Sequence, residues 1–280
     1  MTKLDHLTFS YSDKALRPAV DDASAVIPEG IVLLLGENGA GKTTLLRLMA
    51  GWLIPQSGCV DIDGGNPASR LPSVLSNLYY MPDDATLPCR DIRRYAAAFS
   101  EFYPRWDAEL FESNLKDFGL TGSEKFDALS LGNRHKTLLA FALASGVDLL
   151  RLDEPANGLD ITSKNTLRRM LARNVDVGQT VVISTHTVGD LRELYDGLVV
   201  MSKGSVMVSL PMSEIASRLS CPVTEIPPLD AIYFEQRAGR FHSICPVAAG
   251  EEPVADPDFT LLYSALLSPR RNEILKLLKQ

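Results

Sequence analysis

Residues Gly36 to Thr43, which read G-E-N-G-A-G-K-T, fit the pattern G-x-x-x-x-G-K-[ST]. Each position has a physical task. Gly36, Gly39 and Gly41 let the backbone turn tightly, so that successive N–H groups along Asn38, Ala40, Lys42, Thr43 and Thr44 point into one concavity. A helix beginning at the end of the run adds the positive end of its dipole. Lys42 can reach the outer phosphates of a bound nucleotide as a point charge, and the Thr43 hydroxyl can ligate Mg2+. The chemistry expected of such a loop is the binding of ATP with Mg2+.

A second constellation lies farther along. Leu149 to Glu154, read L-L-R-L-D-E, places Asp153 and Glu154 at the end of an apolar run. Read alone, two carboxylates before Pro155 are a solvated strand end. In open α/β sheets, however, ligands gather at the carboxyl ends of the strands, the same edge that carries a phosphate loop. There Asp153 can hold Mg2+ through its water shell, and Glu154 can orient or deprotonate an attacking water. Arg151, in the middle of this run, is unexpected in a buried strand. It either pairs with a carboxylate or emerges at the surface.

Three kinds of element must position these residues. Ile31–Gly36, Val147–Asp153 and Val181–Thr185 are short continuous apolar runs, the signature of strands buried on both faces of a parallel sheet. Leu45, Leu46, Leu48 and Met49 follow the glycine loop at helical spacing, and Leu167, Met170 and Leu171 form one face of another helix. The segment from Leu4 to Ser12 alternates as a strand, and residues 84–140 read as largely helical. The apolar runs around Leu198–Ser202 and Ser205–Ser209, separated by Gly204, predict a closing hairpin. Strands alternating with helices predict an α/β sandwich around a mostly parallel sheet. Beyond residue 210 the texture changes: prolines punctuate the chain, a small hairpin is expected around Ala238-Gly239, and the last residues read as a short helix. Residues 210–280 are therefore expected to be an appended region, following a domain of residues 1–209.

Composition narrows the class. The chain has 280 residues, 45% of them hydrophobic and 22% charged, which are ordinary globular values. Its net charge of −7 argues against a nucleic-acid binder, which carries a basic face. Cys59, Cys89, Cys221 and Cys245 show no metal-ligand or CxxC spacing and read as reduced thiols. The start lacks the apolar core of a signal peptide. The richest apolar stretch, Thr137–Leu150, contains Asp148 and is shorter than the roughly 18–20 residues a span requires. A membrane role is thus expected only through a partner.

Leu129 to Asn133, read L-S-L-G-N, resembles the LSGGQ signature of ABC ATPases, and Leu129 precedes Asp153 by 24 residues, as is usual in that family. Lys136 stands where the family carries a basic residue, Asn157 to Asp160 resembles its D-loop, and Ser184-Thr185-His186 resembles its switch histidine. Tyr11 occupies the place of an adenine-stacking aromatic, and Asp196 with Gly204 fits the closing pattern. The resemblance covers residues 3 to about 209 and is closest to short ATPase subunits that pair with separately encoded membrane subunits.

The resemblance implies a P-loop NTPase three-layer sandwich with an antiparallel N-terminal β-subdomain and a helical subdomain insert at about 84–140. It implies an ATP hydrolase driving a transmembrane permease from the cytoplasmic face of the membrane. Lys42 binds phosphate, Thr43 and Asp153 hold Mg2+, Glu154 is the general base and His186 contacts the γ-phosphate. It also implies an ATP-dependent dimer, with itself or with another ABC ATPase, in which Ser130 and Gly132 of one copy face the γ-phosphate held by the other. Three positions depart from the family, among them Asn133, which replaces the signature glutamine. Asp83 replaces the usual metal-facing glutamine, and either binds the metal or turns away. Leu131 replaces the first signature glycine. These departures motivate an alternative, a nucleotide-gated regulatory subunit with weak hydrolysis. A soluble, non-transport ABC ATPase is a further alternative, although the chain lacks the coiled coils, paired domains or basic arms of those relatives.

Overall fold

The structure is a computed structural model that describes residues 1–12, 14–84, 89–185, 194–248, 250 and 253–279. The chain opens with β1 (Thr2–Phe9) and β2 (Val20–Ile27), an antiparallel pair, and continues into β3 (Gly30–Gly36). The phosphate-loop sequence then leads into α1 (Lys42–Met49), after which β4 (Ser57–Ile62) returns to pair antiparallel with the other side of β1. This three-stranded sheet is the antiparallel N-terminal subdomain. Its inward residues Leu4, Leu7, Val20, Ala23, Ile27 and Val60 share a buried core with Leu45, Leu46, Leu48 and Met49 of α1.

A short helix, α2 (Pro72–Leu75), precedes β5 (Leu78–Met81), and the chain then becomes helical. Helices α3 (Ile92–Phe99), α4 (Ala108–Asp117) and α5 (Leu131–Ala144) are capped at their N-termini by Asp91, Asp107 and Ser130, whose side chains accept backbone N–H bonds at Arg94, Leu110 and Asn133. Phe141 of α5, fully buried, gathers Tyr79, Tyr95, Tyr103, Trp106 and Phe111 around it, with centroid separations of 4.5 to 6.1 Å. That aromatic cluster joins the helical part to the sheet.

The chain then alternates through β6 (Leu149–Asp153), α6 (Ile161–Asn174) and β7 (Thr180–Ser184), and closes the large sheet with β8 (Gly197–Ser202) and β9 (Ser205–Pro211). The strand order is β5-β6-β7-β3-β8-β9, parallel throughout except for β9. Every residue of β6, β7 and β8 is buried, which explains their unbroken apolar character.

Residues 210–280 form α7 (Met212–Arg218), the short strands β10 (Leu219–Ser220) and β11 (Val223–Thr224), the hairpin β12 (Tyr233–Arg237) and β13 (Arg240–Pro246), and helices α8 (Phe259–Leu267) and α9 (Arg271–Lys279). The hairpin turns at Ala238 and Gly239, both at positive φ, as the sequence predicts. Ile215, Ile244, Leu261, Leu262, Ile274 and Leu278 belong to the same buried cluster as Leu198 and Val200 of the large sheet, and Phe259 stacks edge-on against Tyr195 at 5.6 Å. This C-terminal part therefore shares its apolar core with the large sheet. Among the described residues, no helix is long and apolar enough to cross a membrane.

Candidate nucleotide site

The loop between β3 and α1 is built by glycines at two decisive points. Gly41, the residue before α1, has φ of 102° and lies so close to β2 that a Cβ there would sit 2.3 Å from the Ala19 carbonyl oxygen. A Cβ on Gly36 would stand 2.8 Å from the Met201 carbonyl oxygen of β8. Gly204, between β8 and β9, donates its N–H to the Ala40 carbonyl at 3.0 Å, so the closing hairpin holds the loop from behind. The Asp196 carboxylate accepts the Ile31 N–H at 2.8 Å, which anchors the start of β3.

Lys42 is only 9% exposed, and its ammonium donates to the Gly36 carbonyl at 2.7 Å. Burial lowers its pKa, while the nearby Glu154 and Asp153 carboxylates act in the opposite direction. Asp153 ends β6 beside this cation and accepts two hydroxyl bonds, from Ser184 at the end of β7 and from Tyr80 at 3.2 Å. Glu154 follows with φ of 48°, a strained conformation for a glutamate, and its N–H is held by the Ser184 carbonyl at 3.0 Å. The strain turns the chain off the sheet at the point where the carboxylate is needed.

These groups line one cavity of about 480 Å3, together with Tyr11, Asn38, Gly39, Ala40, Thr43, Thr44 and Asp83. Tyr11 is 59% exposed; its hydroxyl meets the Thr44 hydroxyl at 3.2 Å, and its ring packs edge-on against Phe9, leaving aromatic surface over the loop. The close-packed glycine cradle and the buried lysine fit a polyphosphate. Thr43, Asp153, Glu154 and Asp83 supply hard oxygen donors. No cluster of three or more His, Cys, Asp or Glu ligands exists among the described residues.

Residues 20–157 match the ABC transporter family. The ABC transporter ATP-binding protein NatA of Bacillus subtilis (strain 168) is 30% identical over 205 residues, covering 69% of this chain and 82% of that protein. The chain belongs to the ABC transporter ATP-binding proteins. The taurine import ATP-binding protein TauB of Escherichia coli (strain K12) is 29% identical over 225 residues, covering 76% of this chain and 85% of that protein. Among solved structures, an ATP-binding subunit of an ABC transporter superposes with a TM-score of 0.68 at 22% identity, over 77% of this chain and 91% of that one. A dimeric ATP-binding cassette with bound ADP and Pi, in a post-hydrolysis state, gives 0.67 at 22% identity, over 75% and 98%. At that identity these two establish the fold alone.

In this ABC ATP-binding protein the signature residues Ser130 and Gly132 do not line the nucleotide cavity of their own chain. Ser130 caps α5, accepting the Asn133 N–H at 3.2 Å, and Leu131 beside it is 48% exposed. Gly132 packs against the D-loop: a Cβ there would lie 2.4 Å from the Gly158 carbonyl oxygen. Asp83 lines the cavity, yet its Oδ1 accepts the Asn157 amide at 2.9 Å. The Asp83 carbonyl meets Nε2 of His135, a fully buried residue of α5, at 2.8 Å. His186 lies outside the described residues.

Sequence reasoning missed Tyr80, His135 and Asn157 as partners of site residues. His135 carries no motif signal, Tyr80 opens the Y-x-P run before Asp83 but was given no role, and Asn157 was read only as part of the D-loop. Arg151 is 1% exposed and pairs with no carboxylate among the described residues. It donates instead to the carbonyls of Met49, at the end of α1, and of Tyr79. Burial lowers its pKa to about 9, with Tyr103 and Tyr80 opposing the shift, so it remains a cation at neutral pH.

Proposed function

We propose that this ATP-binding protein hydrolyses ATP to ADP and phosphate and so drives a separately encoded permease from the cytoplasmic face of the membrane. The observation that carries the reading is the convergence of Lys42, Thr43, Asp153 and Glu154 on one cavity over a glycine-built phosphate cradle. Thr43 and Asp153 hold Mg2+, Lys42 neutralises the outer phosphates, and Glu154 accepts a proton from the attacking water. Bound Mg2+ supplies charge neutralisation at the phosphates. His186 is the proposed contact to the γ-phosphate. Tyr11 offers a ring for adenine.

Ser130 and Gly132 open α5 outside their own chain's cavity, which supports a composite site completed by a second copy or by another ABC ATPase. The permease would grip the face around residues 84–120. There a groove of about 560 Å3 opens, lined by Trp52, Tyr95, Phe99, Tyr103 and Leu138. A charged carboxylate at position 83, tied to Asn157, would slow turnover rather than abolish it.

The test is turnover and sedimentation of the wild type beside Glu154→Gln. The wild type is expected to release phosphate in the presence of Mg2+, and Glu154→Gln to hold ATP, lose turnover by a factor of at least about 100, and sediment as a dimer only with ATP. A monomer under all conditions, or turnover unchanged by the substitution, contradicts the reading. A wild type that binds ATP without measurable turnover would favour the nucleotide-gated regulatory subunit, the reading that Asp83 and Leu131 motivate.

A further inference from the structure

Asp153 is held by a residue to which none of the motifs assigns a role. Tyr80, on β5 and 7% exposed, donates its hydroxyl to Asp153 Oδ2 at 3.2 Å. Tyr80, and after it Tyr11, raise the pKa of Arg47 on α1 against the burial that lowers it. The Tyr80 ring is packed edge-on against Trp52 at a centroid distance of 4.8 Å. Trp52 is 56% exposed and, with Tyr80 itself, lines the aromatic groove between the sheet and the helical part. Tyr80 thus touches the carboxylate at one end of its side chain and the wall of the groove at the other. Asp83, three residues beyond it on the same segment, is held instead by Asn157 and His135.

We propose that Tyr80 is a positioning residue for the metal edge of the cavity, and that it ties Asp153 mechanically to Trp52 and so to the groove. The hydroxyl fixes which Asp153 oxygen faces the nucleotide, in the way outer-shell partners orient metal ligands. Anything that moves Trp52 moves the Tyr80 ring and alters that orientation. Conversely, Mg2+ drawing on Asp153 changes the surroundings of Trp52. The inference rests on the reading of the cavity as a Mg2+-ATP site.

The chain has two tryptophans, so Trp106→Phe leaves Trp52 as the only indole reporter in the full-length protein. ATP binding to this protein is measured by calorimetry in EDTA and across a Mg2+ series, with Trp52 emission followed in parallel, before and after adding Tyr80→Phe. The phenylalanine keeps the ring packing and removes the hydroxyl. Tyr80→Phe is expected to leave ATP binding in EDTA unchanged, to raise the Mg2+ midpoint about tenfold, and to remove most of the Trp52 response to Mg2+. An unchanged midpoint with an unchanged Trp52 response overturns the inference. Absence of ATP binding by the parent protein would instead remove the reading of the cavity. As a second measurement, Asp153→Asn in the same single-tryptophan chain is expected to shift Trp52 emission with no ligand present, since the acceptor of the Tyr80 proton has changed. An identical spectrum counts against the tie.

Discussion

At the scale of single residues, the chemistry depends on charges held close together. Lys42 faces Asp153 and Glu154, and Asp83 opens on the same cavity. A nucleotide entering it would meet Lys42 and the four acidic residues Glu37, Asp83, Asp153 and Glu154, and on the proposed reading Asp83 would be a repulsive neighbour of the terminal phosphate. Asp83→Asn keeps an oxygen that can accept the Asn157 amide and removes the charge. It is expected to tighten ATP binding by threefold to tenfold, roughly 1 kcal/mol at the effective dielectric of an open cavity. Calorimetric titration of ATP reads this, and an unchanged affinity would place the Asp83 charge too far from the phosphates to matter. The phosphate loop and Asp153–Glu154 were legible in the sequence because their spacing is local. Tyr80, His135 and the Asn157 bond to Asp83 were not, because each joins residues from separate strands and helices that only the folded sheet brings together.

At the scale of elements, the N-terminal turn of α5 is where the proposed composite site would meet a partner. Its N-terminal turn carries exposed Leu131 outward while Gly132 lies directly on the D-loop backbone. Gly132→Ala would push a methyl group into the Gly158 carbonyl, which cannot yield as a flexible side chain could. The substitution is expected to cost about 1–3 kcal/mol of stability and to weaken ATP-dependent dimerisation, while ATP binding by the Lys42 loop stays within about twofold. Thermal melting with sedimentation reads both effects, and full dimerisation of a stable Gly132→Ala protein would contradict them. Strands β3, β6 and β7 were legible as elements because apolar runs of that length rarely arise otherwise. Strand β2, with its V-D-D-A-S-A-V-I sequence, was not. It is an edge strand whose outward residues Asp21, Asp22 and Ser24 are polar while Val26 is exposed, so little apolar pattern is left to read. The Arg151 run shows the same limit from the other side. Its guanidinium is buried because two backbone carbonyls await it, one at the C-terminal end of α1, and no local pattern reveals them.

At the scale of the whole molecule, residues 210–280 look separable in sequence, with prolines interrupting every pattern. In the structure their apolar side chains continue the core of the large sheet, and Phe259 closes on Tyr195. A chain ending at residue 211 would leave that face of the sheet open to water. It is expected to aggregate, or to melt well below the full-length protein; a soluble fragment with an unchanged melting temperature and unchanged ATP affinity would show instead that the two parts fold independently.

The decisive measurement is equilibrium binding of ATP, with and without Mg2+, to the wild type and to Lys42→Ala, the two proteins matched by circular dichroism. The wild type is expected to bind ATP, more tightly with Mg2+, and Lys42→Ala to lose at least about 100-fold in affinity, as befits a buried ammonium that meets the outer phosphates. Equal binding by both proteins, or no binding by the wild type, would mean that the loop after β3 does not cradle a nucleotide.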